Sequence, residues 1–185
     1  MKALHLLLLA ILPSCAIEEP AFESVRKEGN FEVRKYAAIP VVSAPMVDMG
    51  KRDDSFRTLF RYISGANADK AKISMTAPVF MENGAAEDKP GRMSFMIPAE
   101  ISEKGAPKPT AEEVAVSEIG GGTFAVLLFK GWKDDAKREA ARGKLEKLLN
   151  EAALKPIGKP FFAFYDPPWT PELLRRNEVW QRVEP

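Results

Sequence analysis

Two stretches decide how this chain reads: residues 50–60, GKRDDSFRTLF, and residues 131–141, GWKDDAKREAA. Each places a glycine and a basic residue before an aspartate pair, and an amphipathic run follows. Acidic residues at a helix start satisfy free N–H groups and suit the positive end of the helix dipole. Asp53 and Asp54 are therefore expected to open a helix that Gly65 closes. Phe56, Leu59, Phe60 and Ile63 lie at i, i+3, i+4 and i+7 in it, the spacing of one apolar face. Arg57 and Arg61 share another face. Asp134 and Asp135 open a second helix, to about residue 150, with Ala141, Leu145, Leu148 and Ala152 on one side.

Similar strand patterns surround both helices. Residues 31–36 alternate as a half-buried strand does, and residues 38–46 read as its hairpin partner. After the first helix come strand-like runs at 77–81 and 92–98. The second half gives runs at 113–118 and 123–130, joined by Ile119, Gly120, Gly121 and Gly122 as a hairpin turn. Two more follow at 161–165 and 177–183. The order is β-β-α-β-β twice, with residues 100–110, EISEKGAPKPT, as the link. The expected fold is α+β: a distorted antiparallel β-barrel with two outer helices, built from two pseudo-symmetric halves.

The N-terminus reads differently. Residues 3–12 are almost unbrokenly apolar, too short to span a bilayer but suited to a signal peptide. Leu12-Pro13-Ser14-Cys15 resembles a lipobox, although Pro13 departs from the usual small or branched residue there. Ordinary cleavage around 14–16 is the rival. The lipoprotein reading gives a signal peptide over 1–14, lipidation at Cys15, a tether over 15–24 and a folded domain over 25–185. Cys15 is the only cysteine of the 185 residues, so no internal disulfide can form. Acylation there would give stable anchoring, and in a Gram-negative cell Ala16 suits the periplasmic face of the outer membrane. Removing 1–14 takes Lys2, so 27 basic residues become 26 against 26 acidic ones. No clustered basic face suggests nucleic acid. His5, the only histidine, goes too.

That loss removes the usual zinc ligands and any Ser-His or Cys-His pair. The glycine run at 120–122 lacks the Lys-Ser/Thr of a phosphate loop. A hydrolase would have to use carboxylates and tyrosines. Glu178, inside an apolar run, and Tyr165 are the candidates, since burial raises a carboxylate towards the range of a general base. Residues 72–84, KISMTAPVFMENG, read as core, with Pro78 at an edge or bulge. The same run suits a pocket wall, because methionines adapt to flat apolar ligands. Tyr165, Pro167, Pro168 and Trp169 form an aromatic corner before a short turn capped by Thr170.

Several of these segments together resemble the SOUL haem-binding proteins: FRTLFRYISGANADKAKISMTAPVFME, GRMSFMIPAE, FAVLLFKG and YDPPWTPELLRRNEVW. The likeness runs from about residue 22 to 183. It implies a fold like the bacterial effector-binding domains, and binding of haem or another tetrapyrrole rather than one fixed reaction. Histidine ligation is closed to a mature chain without histidine. The mode that the resemblance leaves is apolar contact, with Met75, Val79, Met81, Tyr165 and Trp169 against the macrocycle and Arg57 and Arg61 near its propionates. Small-molecule hydrolysis, or a protein or lipid interaction module without haem affinity, are the alternatives. An envelope carrier or buffer is the expected role.

Overall fold

The computed structural model describes residues 17–46, 54–84, 90–131 and 134–185. The expected signal peptide, Cys15 and Asp53 lie outside them. Among the described residues, nine strands form one antiparallel sheet. They are β1 (Phe22–Glu28), β2 (Phe31–Tyr36), β3 (Ile39–Met46), β4 (Val79–Glu82), β5 (Gly91–Met96), β6 (Ala115–Ile119), β7 (Gly122–Phe129), β8 (Phe161–Phe164) and β9 (Asn177–Val183). The helices are α1 (Ser55–Ile63), α2 (Ala99–Lys104) and α3 (Asp135–Glu151). The Asp134 side chain accepts from the Lys137 N–H and caps α3.

The sheet order is β1-β2-β7-β9-β8-β4-β5-β3-β6. With β1 set aside, it is symmetric about the β8–β4 boundary: β2 matches β6, β7 matches β3, β9 matches β5. The duplication is real in topology, with one difference from the expected hairpins. β2 pairs with β1 and β7, not with β3, and β6 pairs with β3, not with β7. Each half gives its first strand to the other half. The reason lies in the connections. A Cβ on Gly121 would fall 2.9 Å from the Ala38 nitrogen and 3.0 Å from the Tyr36 oxygen. The two crossing connections touch backbone to backbone, so glycine is needed for close approach rather than for a reversal.

Two elements differ from expectation. β1 takes in residues 22–24, read as tether, because β2 offers a free edge; every β1 residue is exposed, so no apolar alternation marks it. Helix α2 occupies part of the expected link.

Period-two alternation sorts the sheet into two faces. On one, α1 and α3 bury Leu59, Tyr62, Ile63, Ala141, Leu145 and Leu149 against Val42, Phe95, Leu127, Phe162 and Val179. On the other, Tyr36, Val41, Phe80, Phe124, Phe161 and Trp180 form a second cluster. β3 and β7 stand five strands apart in the order yet share that cluster, so the sheet curls over it. The expected α+β barrel-like architecture is found.

Candidate functional site

Helix α1 is rotated relative to the face its spacing suggests. Leu59, Tyr62 and Ile63 point into the core, while Phe56 and Phe60 are 45% and 50% exposed. Tyr62 takes the buried place because its hydroxyl donates to the Pro107 carbonyl at 2.7 Å, which satisfies its polar end. Phe56 and Phe60 lie nearly parallel, ring centroids 6.3 Å apart and planes 11° apart. Phe56 also meets Phe95 edge-on at 5.1 Å. One position on, at the same i, i+4 spacing, stand Arg57 and Arg61, both exposed. Arg57 pairs with Asp54 at 2.8 Å. Two near-parallel, half-exposed rings and two exposed arginines thus share the outer side of α1.

The concave face carries a buried polar network. Glu178 is 2% exposed. Arg34 Nη1 donates to both its oxygens at 3.1 and 3.2 Å, and Tyr165 Oη and Trp180 Nε1 each donate to Oε2 at 2.8 Å. Arg34 Nε also donates to Glu32 at 2.9 Å, and Ser24 Oγ donates to the other Glu32 oxygen at 2.6 Å. Burial opposes the charge on Arg34, but Glu178, the neighbouring Tyr36 and Glu32 outweigh it and raise its pKa. Burial likewise works against Glu32, yet the Ser24 and Arg34 hydrogen bonds hold its carboxyl below the usual range. Burial and the Glu178 charge push the Tyr165 phenol far up. Trp180 sits at the centre of Tyr36, Phe80, Phe124 and Phe161, its ring centroid 4.5 to 5.7 Å from each of theirs.

The concave face also opens into a cleft of about 670 Å³, within the size range of small-molecule sites. Val41, Ile119, Phe124 and Phe161 line it, with Arg92, Lys159, Arg182, Glu82 and Glu118 around them. Arg182 spends its donors on the Gly120 and Gly121 carbonyls, and Lys159 donates to the Gly84 carbonyl. The two glutamates further offset the positive charge.

A family model described as SOUL heme-binding protein matches residues 17–182. Heme-binding protein 2 of Mus musculus is 30% identical over 92% of this chain and 89% of its own. The chain belongs to the SOUL heme-binding protein family. Among solved structures, the EcmrR C-terminal domain aligns with TM-score 0.57 and 15% identity over 83% of this chain and 96% of that one. A hydrolase from Listeria innocua aligns with TM-score 0.60 and 10% identity over 86% and 94%. At such identities these two show a shared fold.

Within this SOUL-family fold, the residues expected to serve one site are spread over several places. Arg57 and Arg61 lie together on the outer face of α1. Met75 is the one exposed methionine among the described residues, two residues beyond Ile73, whose N–H donates to the Ile63 carbonyl at the end of α1. Val79 is half-buried against the helix-side core, and Met81 is inside that core, a filler rather than an exposed wall. Tyr165 is bound to Glu178 on the other side of the sheet. Trp169 stands on the corner between β8 and β9, exposed to solvent. The Glu178 and Tyr165 of the hydrolase alternative do meet. Both Glu178 oxygens are occupied by donors, however, and neither residue lines the cleft. Sequence reasoning missed Phe56 and Phe60 as surface residues, and Arg34 as the partner of Glu178. A cation opposite an in-strand glutamate on another strand was the available signal for Arg34, but it needed the β2–β7–β9 order to be seen.

Proposed function

We propose that this protein binds haem, or another flat hydrophobic tetrapyrrole, by apolar contact on the outer face of α1 without a histidine ligand. The carrying observation is the pair of parallel, half-exposed phenylalanine rings beside Arg57 and Arg61. The rings suit a macrocycle face, and the guanidinium groups suit its propionates. Among the described residues, Met75 is the exposed side chain best suited to be an axial ligand. Family membership supports the ligand class, and the chemistry of α1 supports the place. The protein then serves as an envelope carrier or buffer, exported and lipidated at Cys15, a role that rests on the N-terminal sequence.

Haemin titration of the chain from Ala16, followed in the Soret band, tests this. A saturable one-to-one change is expected, with affinity falling about tenfold or more in Arg57→Ala/Arg61→Ala, because charge-assisted contacts are lost. Arg92→Ala/Lys159→Ala should leave it unchanged. Loss in that second variant alone would move the site to the cleft. A linear, unsaturable response would end the haem reading.

A further inference from the structure

The corner between β8 and β9 is built to hold three large apolar side chains in water. Trp169, Leu173 and Leu174 are 82%, 83% and 67% exposed. Such exposure on a mobile loop would mean little. Here the backbone is fixed. The Arg175 guanidinium, itself buried, donates to the Thr170 carbonyl at 2.8 Å and to the Pro168 carbonyl. The Thr170 N–H donates to Pro167 at 3.0 Å, and the Leu174 N–H donates to Pro171 at 2.9 Å. Lys137 of α3 pairs with Glu172 from outside. The apolar side chains project from a braced turn.

The start of the described chain lies against the same corner. Arg176 stacks on the Tyr165 ring at 3.4 Å and pairs with Glu19. The Glu18 carbonyl accepts from Ala77, and its carboxylate accepts from the Ala99 N–H. Cys15 is four residues before Glu19, so the chain between them spans at most roughly 14 Å from the Glu19 backbone. A lipid anchor at Cys15 would therefore hold this corner at a membrane surface. Tryptophan and leucine are the residues that enter a bilayer interface.

We propose that Trp169, Leu173 and Leu174 form a docking surface for a phospholipid bilayer, which orients the domain on the membrane. The occupant is the lipid interface itself, and the inference rests on the reading of the N-terminus as an anchor. The test uses the full chain with phosphatidylcholine vesicles carrying brominated or unbrominated acyl chains. The Trp169 emission is taken as the difference between wild type and Trp169→Phe, since the chain also carries Trp132 and Trp180. Bromine quenching of that difference signal is expected. Leu173→Ser/Leu174→Ser, substitutions at exposed positions that leave the core alone, should weaken it and lower vesicle affinity about tenfold. Comparing sedimentation of the full chain with that of the chain from Ala16 reads the N-terminal anchor separately. Vesicle-bound full chain with unquenched Trp169 would overturn the docking surface while leaving the anchor intact. Loss of haemin binding in the Leu173/Leu174 variant without bromine quenching in the wild type would overturn it too, and assign the corner to the ligand.

Discussion

Arg34 and Glu178 show how one residue pair can hold two distant parts of a chain. Their side chains are almost fully buried, and each depends on the other to offset the cost of losing water. Arg34→Met should destabilise the protein by about 3–5 kcal/mol in urea unfolding, since it strands the Glu178 charge. Adding Glu178→Gln should restore part of that loss. A double-variant cost equal to the sum of the singles would show that the two do not interact. The tyrosines offer a second residue-scale prediction. The chain has three, Tyr36, Tyr62 and Tyr165, and burial raises the pKa of each above the ordinary 10.0. A raised folded value means that the folded state keeps its proton longer than the unfolded state does. Stability is then complete below pH 10 and falls as pH rises beyond it. Absorbance at 295 nm should show every phenol ionising above pH 10, and Tyr36 and Tyr165 only as the protein unfolds. A tyrosine titrating near 10 in the folded protein would contradict the burial.

Elements show where sequence pattern reaches and where it stops. Both long helices were legible, because aspartate pairs and apolar spacing are local signals. The rotation of α1 was not. Leu59, Tyr62 and Ile63 compete with Phe56 and Phe60 for the core on nearly equal apolar terms, and the Pro107 carbonyl that settles the contest lies 45 residues away. Leu59→Ala should therefore cost about 2–5 kcal/mol, the range for emptying a core position. Phe60→Ala should cost well under that while reducing haemin affinity. Equal destabilisation by the two would restore the rotation that spacing alone suggests. Glycines separate in the same way. Nothing lies within 4 Å of a Cβ on Gly143, inside α3, so Gly143→Ala should stabilise by about 0.5–1 kcal/mol. Gly121→Ala should destabilise by about 1–3 kcal/mol, because backbone stands in the way. Thermal unfolding of the two variants should shift in opposite directions.

At the scale of the whole molecule, the duplication was legible but the exchange of first strands was not. Turn chemistry suggested two hairpins, and only the contact between the crossing connections shows why they do not form. The candidate site was likewise half legible: its arginines fell out of helix spacing, whereas its aromatic surface depended on which face the core claims. Exchange makes each half incomplete alone. Fragments divided at Gly105 should each lack cooperative unfolding, and their mixture should regain the near-ultraviolet dichroism of the intact chain. An isolated half with a sharp transition would show that the borrowed strand is dispensable.

The exchange also sets a timetable for synthesis. Phe31 of β2 meets Leu127 of β7, on the far side of the chain's midpoint. At ribosomal speeds that partner emerges roughly 5–20 s later. During that interval β2 can rest only on the polar edge strand β1, and β3 and β4 each present an open edge that waits for β6 and β8. A chain in that condition remains threadable, and its final closure waits for its last strands.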